Sequence, residues 1–251
     1  IIALRQVPTA MNISDIMTKA LPPEKLNGFS SQFLGDITPV SQKPQVSFAC
    51  ISPLRLLVLF SGTASVERGC RTVVTDCVAI SVDNNKQFSP TYLCDVKYWK
   101  DNHMADFDPG HFDIIFASPP CTEYSRAKTR GHRDLETADS LVKVAMEIIQ
   151  YFKPPHWVIE NPVGLLQTRP FMQRLRPFLM TCCYCRYGAP FRKATNIWAS
   201  FADPYLLKVC SSRTPCDHMA RHGKHPQTAQ SGPSGSTPGS GSALAVYPLP
   251  E

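Results

Sequence analysis

No run in this 251-residue chain is apolar for the roughly 20 residues that a membrane-spanning helix needs. No leader of the secretory kind is expected from its opening residues either. Charge of one sign is not abundant: 26 Lys and Arg oppose 20 Asp and Glu, a net +6. That excess is modest, but the basic residues cluster, which suits a nucleic-acid or phosphate partner. Without a leader, the ten cysteines do not read as a secreted disulfide framework. Scattered through apolar strands, they are expected as reduced thiols. The expectation is a soluble intracellular protein, nuclear in a eukaryotic host. An initiator methionine is lacking too, because the chain starts at Ile1 and stops at Glu251 shortly after a linker-like stretch. A piece of a longer polypeptide is therefore expected.

What is present suits one sizeable α/β domain with appendages, since 43% of the residues are hydrophobic. Residues 1–50 are polar, proline-containing and weakly periodic. From Leu54 onward, strand-like and helix-like patterns alternate. Strands are predicted at Leu54–Phe60, Val73–Val82, Asp113–Ala117, Trp157–Ile159, Leu179–Tyr187 and Thr195–Ser200, with a short strand or turn at Tyr92–Asp95. A short helix is predicted at Ser65–Arg71. A long one spans Asp134–Phe152, where Leu135, Ala138, Leu141, Val142, Ala145, Ile148, Ile149 and Phe152 recur at helical spacing before Pro154-Pro155. Such alternation implies a mostly parallel, doubly wound α/β sheet. Ligands of these sheets bind at the carboxyl ends of strands. Gly62, Asp83, Asp95, Cys121 and Glu160 all fall at such ends. Residues 231–242, rich in Gly, Ser and Pro, read as a linker.

Cys121 stands out chemically. Two prolines, Pro119 and Pro120, stop the strand before it and hold the thiol on a stiff turn. Arg126, Lys128, Arg130, His132 and Arg133 follow closely. A rigidly displayed cysteine beside so much positive charge is a candidate nucleophile in polyanionic company, the alternative being a core thiol. Asp83 could accept both hydroxyls of a ribose, and Asp95 an adenine amino group; each could instead cap a helix or a turn. Glu160, at the end of an apolar strand, could hold or protonate a ring nitrogen, or sit in a structural ion pair.

Phe60-x-Gly62, Ser118-Pro119-Pro120-Cys121, Glu160-Asn161-Pro162 and Tyr187-Gly188-Ala189-Pro190-Phe191-Arg192-Lys193 occur in the order seen in DNA (cytosine-5)-methyltransferases. From Leu54 to Tyr247 the chain resembles the compact branch of that family found in phages and large algal viruses. The resemblance implies a Rossmann-like methyltransferase fold, S-adenosylmethionine as cofactor and double-stranded DNA with a flipped cytosine as substrate. It implies that Cys121 attacks carbon 6, Glu160 grips the ring nitrogen and amino edge, and Arg192 steadies the site. Phe60, Gly62, Asp83, Asp95 and Pro119 would line the cofactor pocket. Ser125, Arg126, Lys128, Arg130 and Arg133 would meet the DNA. The expected domains are 51–209 as catalytic domain, 210–230 as a small recognition segment, 231–242 as linker and 243–251 as the start of a C-terminal region.

The chain departs from that pattern in places. Ala64 replaces a second glycine, Pro162 follows Glu160-Asn161 where valine is usual, and Pro190 replaces a glutamine. The family closes the cofactor pocket with a C-terminal helix about where this sequence stops, so weak cofactor binding is expected. A cysteine after the two prolines argues against an amino-methylating enzyme, which would place an aromatic residue there. The remaining alternative is an inactive mobile-element remnant that binds nucleic acid.

Cys210, Cys216, His218, His222 and His225 lie close together in the sequence. Their types suit zinc, but their spacing is irregular for common fingers. The segment is read as a basic, partly ordered loop and no metal is assigned. Val7 to Leu21 resembles the closing stretch of the ribonuclease H domain of copia-type retrotransposon polyproteins, with Asp15 matching a metal-binding acid. One carboxylate cannot position two metal ions, so no nuclease activity is expected. A monomer within a longer polyprotein is the expected state.

Overall fold

The computed structural model describes residues 52–201 and 207–229. The ribonuclease H-like tail, the linker and the C-terminal start lie outside the described residues. Strand β1 (Leu54–Leu59) leads into helix α1 (Ser65–Val73), then β2 (Cys77–Asp83) and the short β3 (Tyr92–Leu93). Helix α2 (Val96–His103), β4 (Ile114–Ala117), α3 (Leu135–Phe152) and β5 (His156–Pro162) follow. The last elements are β6 (Leu179–Cys183), β7 (Ala194–Ala199) and the short helix α4 (Asp217–His222).

All seven strands form one sheet in the order β3-β2-β1-β4-β5-β7-β6. The five strands from β3 to β5 pair in parallel, and β7 is antiparallel to both its neighbours. The expected mostly parallel, doubly wound sheet is therefore present. Its chain order reverses between β1 and β4, and at such a switch point a crevice opens beyond the strands' carboxyl ends.

Alternation along the strands buries both faces. Leu57, Leu59, Ile115, Ala117 and Ile159 pack with Trp99 of α2 and with Val142, Ala145, Ile148 and Phe152 of α3. Leu56, Val58, Phe116 and Val158 face the other way, onto Val66 of α1 and Met180. Arg55 at the foot of β1 donates to both carboxylate oxygens of Asp113 just before β4, fixing the register of the two switch-point strands.

Several predicted boundaries shift. Val73 closes α1 instead of opening the second strand, which starts at Cys77. The run predicted as strand to Tyr187 ends at Cys183, because Tyr184–Tyr187 coil into a 3-10 turn that Gly188 stops with φ 92°. Helix α2 is additional to the predicted elements. Asp95, expected at a strand end, is its N-cap: Oδ1 accepts from Lys97 N at 2.7 Å.

Candidate active site

The loop after β1 bends sharply. Phe60, Gly62 and Ala64 have φ of 58°, 52° and 57°. Glycine takes this left-handed geometry freely, whereas Phe60 and Ala64 hold it at a cost. The Gly62 N–H donates to Asp83 Oδ2 at 2.8 Å, and the Asn85 N–H donates to Oδ1 of the same carboxylate at 2.8 Å. Asp83 thus shapes the loop from the neighbouring strand end. No atom lies within 4 Å of the point where a Cβ on Gly62 would stand, so the loop faces open space. Behind it, Glu67 is buried in the first turn of α1, and neither carboxylate oxygen has a hydrogen-bond partner. Burial pushes this carboxyl above its ordinary range against the pull of its own backbone and of Arg71 and Arg68, with Asp83 adding to the push.

The loop after β4 is built differently. Ala117 pairs with Ile159, so Ser118 continues beside Glu160 at the adjacent strand end. Asn161 is fully buried, and its Nδ2 donates to the Pro119 carbonyl at 2.9 Å. Past the cysteine, Tyr124 N donates to the Cys121 carbonyl at 3.0 Å. The buried Tyr124 hydroxyl donates to Asp139 of α3 at 2.8 Å, and Arg169 grips the same carboxylate through Nε and Nη2. Leu165 N donates to the Tyr124 carbonyl at 2.9 Å. A Cβ on Gly164 would stand 2.3 Å from that carbonyl oxygen, so only glycine lets the two segments approach. Cys121 is left half-buried on a loop tied down on both sides.

Glu160 completes this end. Burial raises its pKa, moderated by the Lys193 charge and a hydrogen bond from Ser118, and Oε1 is buried without a partner. A protonated carboxyl here can donate to a ligand nitrogen. The buried Tyr184 phenol is raised as well, first by burial, then by Glu160 and the Cys182 thiol, with a smaller contribution from Cys121. Cys121 and Glu160 therefore share Tyr184 as a common neighbour.

The other predicted site residues scatter. Arg192 is exposed, and its Nε donates to the Cys210 carbonyl at 3.3 Å; the cation whose charge reaches Glu160 is Lys193. Lys193 Nζ also sits 5.1 Å from the Tyr184 ring centre. In the basic loop, Lys128 pairs with Glu123 at 2.5 Å. Arg133 donates to the carbonyls of Glu123, Ser125 and Lys128, and the Ser125 hydroxyl accepts from Ala127 N. These three residues hold the loop together, while Arg126 and Arg130 project into solvent.

Sequence reasoning misses Tyr184, Lys193, Glu67 and the Asp139–Arg169 pair. Asp139 carried a signal: it falls on the stripe of Leu135, Ala138 and Val142, where an acid needs a buried partner. Further along, Cys210, Cys216 and His225 do converge, but with Cys185 rather than with His218 and His222.

Comparison with known proteins agrees with this geometry. Residues 54–176 match the family model of C-5 cytosine-specific DNA methylases. The Frog virus 3 (isolate Goorha) protein named "Probable DNA (cytosine-5)-methyltransferase" is 30% identical over 183 residues, covering 67% of this chain and 80% of the viral one. Among solved structures, a prophage-encoded protein titled "putative DNA modification methyltransferase" (E. coli) aligns at TM-score 0.39 and 16% identity, over 58% of this chain and 46% of its own. A precorrin-6y C5,15-methyltransferase from Geobacter metallireducens aligns at TM-score 0.33 and 11% identity, over 59% and 80%. On the family model and the viral relative, the chain belongs to the C-5 cytosine-specific DNA methylase family.

Proposed function

We propose that this chain methylates carbon 5 of cytosine in DNA, using Cys121 as a covalent nucleophile and S-adenosylmethionine as methyl donor. The observation that carries the reading is the junction of β4 and β5. There the half-buried Cys121 thiol and the raised Glu160 carboxyl, with its Oε1 unpartnered, leave adjacent strand ends, locked together by Asn161 on Pro119.

In this reading the Cys121 thiolate adds to carbon 6 of a cytosine turned out of the duplex, breaking the 5,6 double bond. Protonated Glu160 gives its proton to ring nitrogen 3, so negative charge does not build up on the ring. Carbon 5 becomes enamine-like and nucleophilic. When bound, S-adenosylmethionine supplies an electrophilic methyl group to that carbon. A base then removes the carbon-5 proton, the double bond re-forms, the thiolate leaves and the nitrogen-3 proton returns to Glu160. Ser118 holds the carboxyl by a hydrogen bond through these steps, and the Lys193 charge acts on it.

The cofactor fits the other half of the crevice. Phe60, Gly62, Asp83, Asp95 and Pro119 would hold it, with open space over Gly62 and the Asp83 carboxylate at the β2 end. Of the basic loop, Arg126 and Arg130 are free to meet phosphates, and Lys128, Arg133 and Ser125 keep the loop in shape.

A duplex containing 5-fluorocytosine, incubated with the chain and S-adenosylmethionine, tests the reading. Fluorine cannot leave as a proton does, so the adduct persists. A complex that survives denaturing electrophoresis is expected with the native chain and not with Cys121→Ser. Equal trapping by both, or trapping by neither, would overturn the assignment.

A further inference from the structure

Residues 207–229 are held by very little. They add no strand to the sheet beyond the single bridge between Gln227 and Phe191, and their one helix, α4, is short. The only fully buried side chains among these residues are Cys210 and Cys216, at 3% and 1% exposure. A segment this short cannot exclude enough apolar surface to order itself, and small folds of this kind depend on a disulfide or a metal. Cys210 and Cys216 are free thiols here.

The two buried thiols meet a third, Cys185, and the imidazole of His225. One ligand-type atom from each of the four lies within 4.8 Å of the others. His225 Nε2 is 3.3 Å from Cys216 Sγ and 3.8 Å from Cys210 Sγ. Thiolates about 2.3 Å from a zinc ion stand about 3.8 Å apart at the tetrahedral angle, and a thiolate–imidazole edge is slightly shorter. The cluster is therefore close to the size of a zinc coordination shell and needs only small side-chain adjustments. Three sulfurs and one imidazole are soft and borderline donors, which favour zinc over magnesium or calcium. Four protein ligands leave no open position, so such a site is structural and not catalytic.

We propose that Cys185, Cys210, Cys216 and His225 bind one zinc ion, which staples the 207–229 segment to the methylase sheet. Cys185 comes from the 3-10 turn that directly follows β6; the other three ligands come from the segment. The ion ties the two together where hydrogen bonds already run between them. Cys183 N donates to the Lys208 carbonyl at 2.9 Å, Lys208 N to the Tyr187 hydroxyl at 2.7 Å and Gln227 N to the Pro190 carbonyl at 3.2 Å. Arg186 donates to the Pro215 carbonyl, and Arg192 to the carbonyl of the ligand Cys210. Tyr184 precedes Cys185, and its N–H donates to the Lys193 carbonyl. The staple thereby braces the wall of residues 184–193 that faces Glu160. It does not depend on the catalytic reading, because a structural metal serves the fold whatever the crevice does.

Metal analysis of the reduced, purified chain tests the site. About one zinc per chain is expected, falling at least tenfold in Cys216→Ser and in His225→Ala. His225→Cys should restore binding, since four thiolates also hold zinc. Cys94→Ser, which alters a thiol far from the cluster, should leave the content unchanged. Cobalt in place of zinc should show thiolate charge-transfer absorption and the visible bands of a tetrahedral ion. Chelation should open Arg213, Arg221 and Lys224 to trypsin while residues 54–199 stay resistant. Four results would each overturn the proposal: a folded chain without metal, iron in place of zinc, a Cys210–Cys216 disulfide, or zinc that survives both Cys216→Ser and His225→Ala.

Discussion

The two loops that flank the switch point reach rigidity by opposite means. The loop after β1 bends its backbone into left-handed geometry at Phe60, Gly62 and Ala64, and one carboxylate, Asp83, holds it from the side. The loop after β4 has no positive φ between Ser118 and Tyr124. Two prolines stiffen it, and buried side chains from β5 and α3 pin it. In the proposed reading the first loop shows backbone to the cofactor, so its shape is everything; phosphate- and nucleotide-binding turns work in this way. In the same reading the second aims a single sulfur, and its surroundings are packed and hydrogen-bonded. Substitutions should therefore act oppositely in the two loops. The second loses order when its anchors change, whereas the first can become more stable when its strain is removed.

The largest effect should come from Gly164→Ala. Its methyl meets the Tyr124 carbonyl at 2.3 Å, backbone against backbone, with no flexible side chain to give way. A loss of about 3 kcal/mol in urea unfolding is expected, together with loss of trapping on 5-fluorocytosine. Unchanged stability would show that the β4 loop is not held from behind. Asn161→Ala ranks second. It strands the Pro119 carbonyl and leaves a small cavity, costing about 2 kcal/mol and slowing trapping about tenfold. A fall in stability with no change in trapping rate would separate Asn161 from the aim of Cys121.

Much of this arrangement could be read in the sequence, and the exceptions have physical reasons. Apolar runs closed near Gly62, Asp83, Cys121 and Glu160 were enough to place the strand ends, because a buried parallel strand needs an unbroken apolar run and ends where polar chemistry begins. Helix α2 escaped because its pattern is short and mixed, with Val96 and Trp99 as its buried residues. Lys193 escaped in favour of Arg192 because sequence order does not reveal which of two adjacent cations turns inward. Cys185 escaped because its partners lie beyond β7, and only the fold brings that turn back to Cys210 and Cys216. For Lys128 and Arg133 the sequence shows charge but not the neighbouring acids and carbonyls that these side chains engage.

Two smaller changes probe the β1 loop. Ala64 holds φ 57° and ψ 29° at the N-cap of α1, where its side chain makes no capping bond. Ala64→Gly should relieve roughly 1–2 kcal/mol of left-handed strain. The greater freedom of glycine in the unfolded chain offsets roughly 0.5–1 kcal/mol of that gain. A net stabilisation of about 0.5–1 kcal/mol is expected from the urea midpoint. A net loss would mean that the loop relaxes away from this geometry in solution, and the contrast with the β4 loop would weaken.

The last test concerns Glu67, buried behind the same loop with neither oxygen partnered. Its folded pKa lies above the ordinary 4.5, chiefly through burial. A carboxyl raised on folding binds its proton more tightly in the native state. Its favourable contribution is therefore present below pH 4.5 and is lost as pH rises through the folded value. Glu160 is shifted in the same direction, so total stability against pH mixes the two groups. The difference between native chain and Glu67→Gln isolates one of them. That variant cannot ionise, so it should gain stability relative to the native chain between about pH 4 and about pH 8. Melting temperatures at the two ends of this range provide the measurement. A difference that stays constant with pH would mean that Glu67 finds a partner or water in solution, and that the floor of the β1 loop is more polar than its packing suggests.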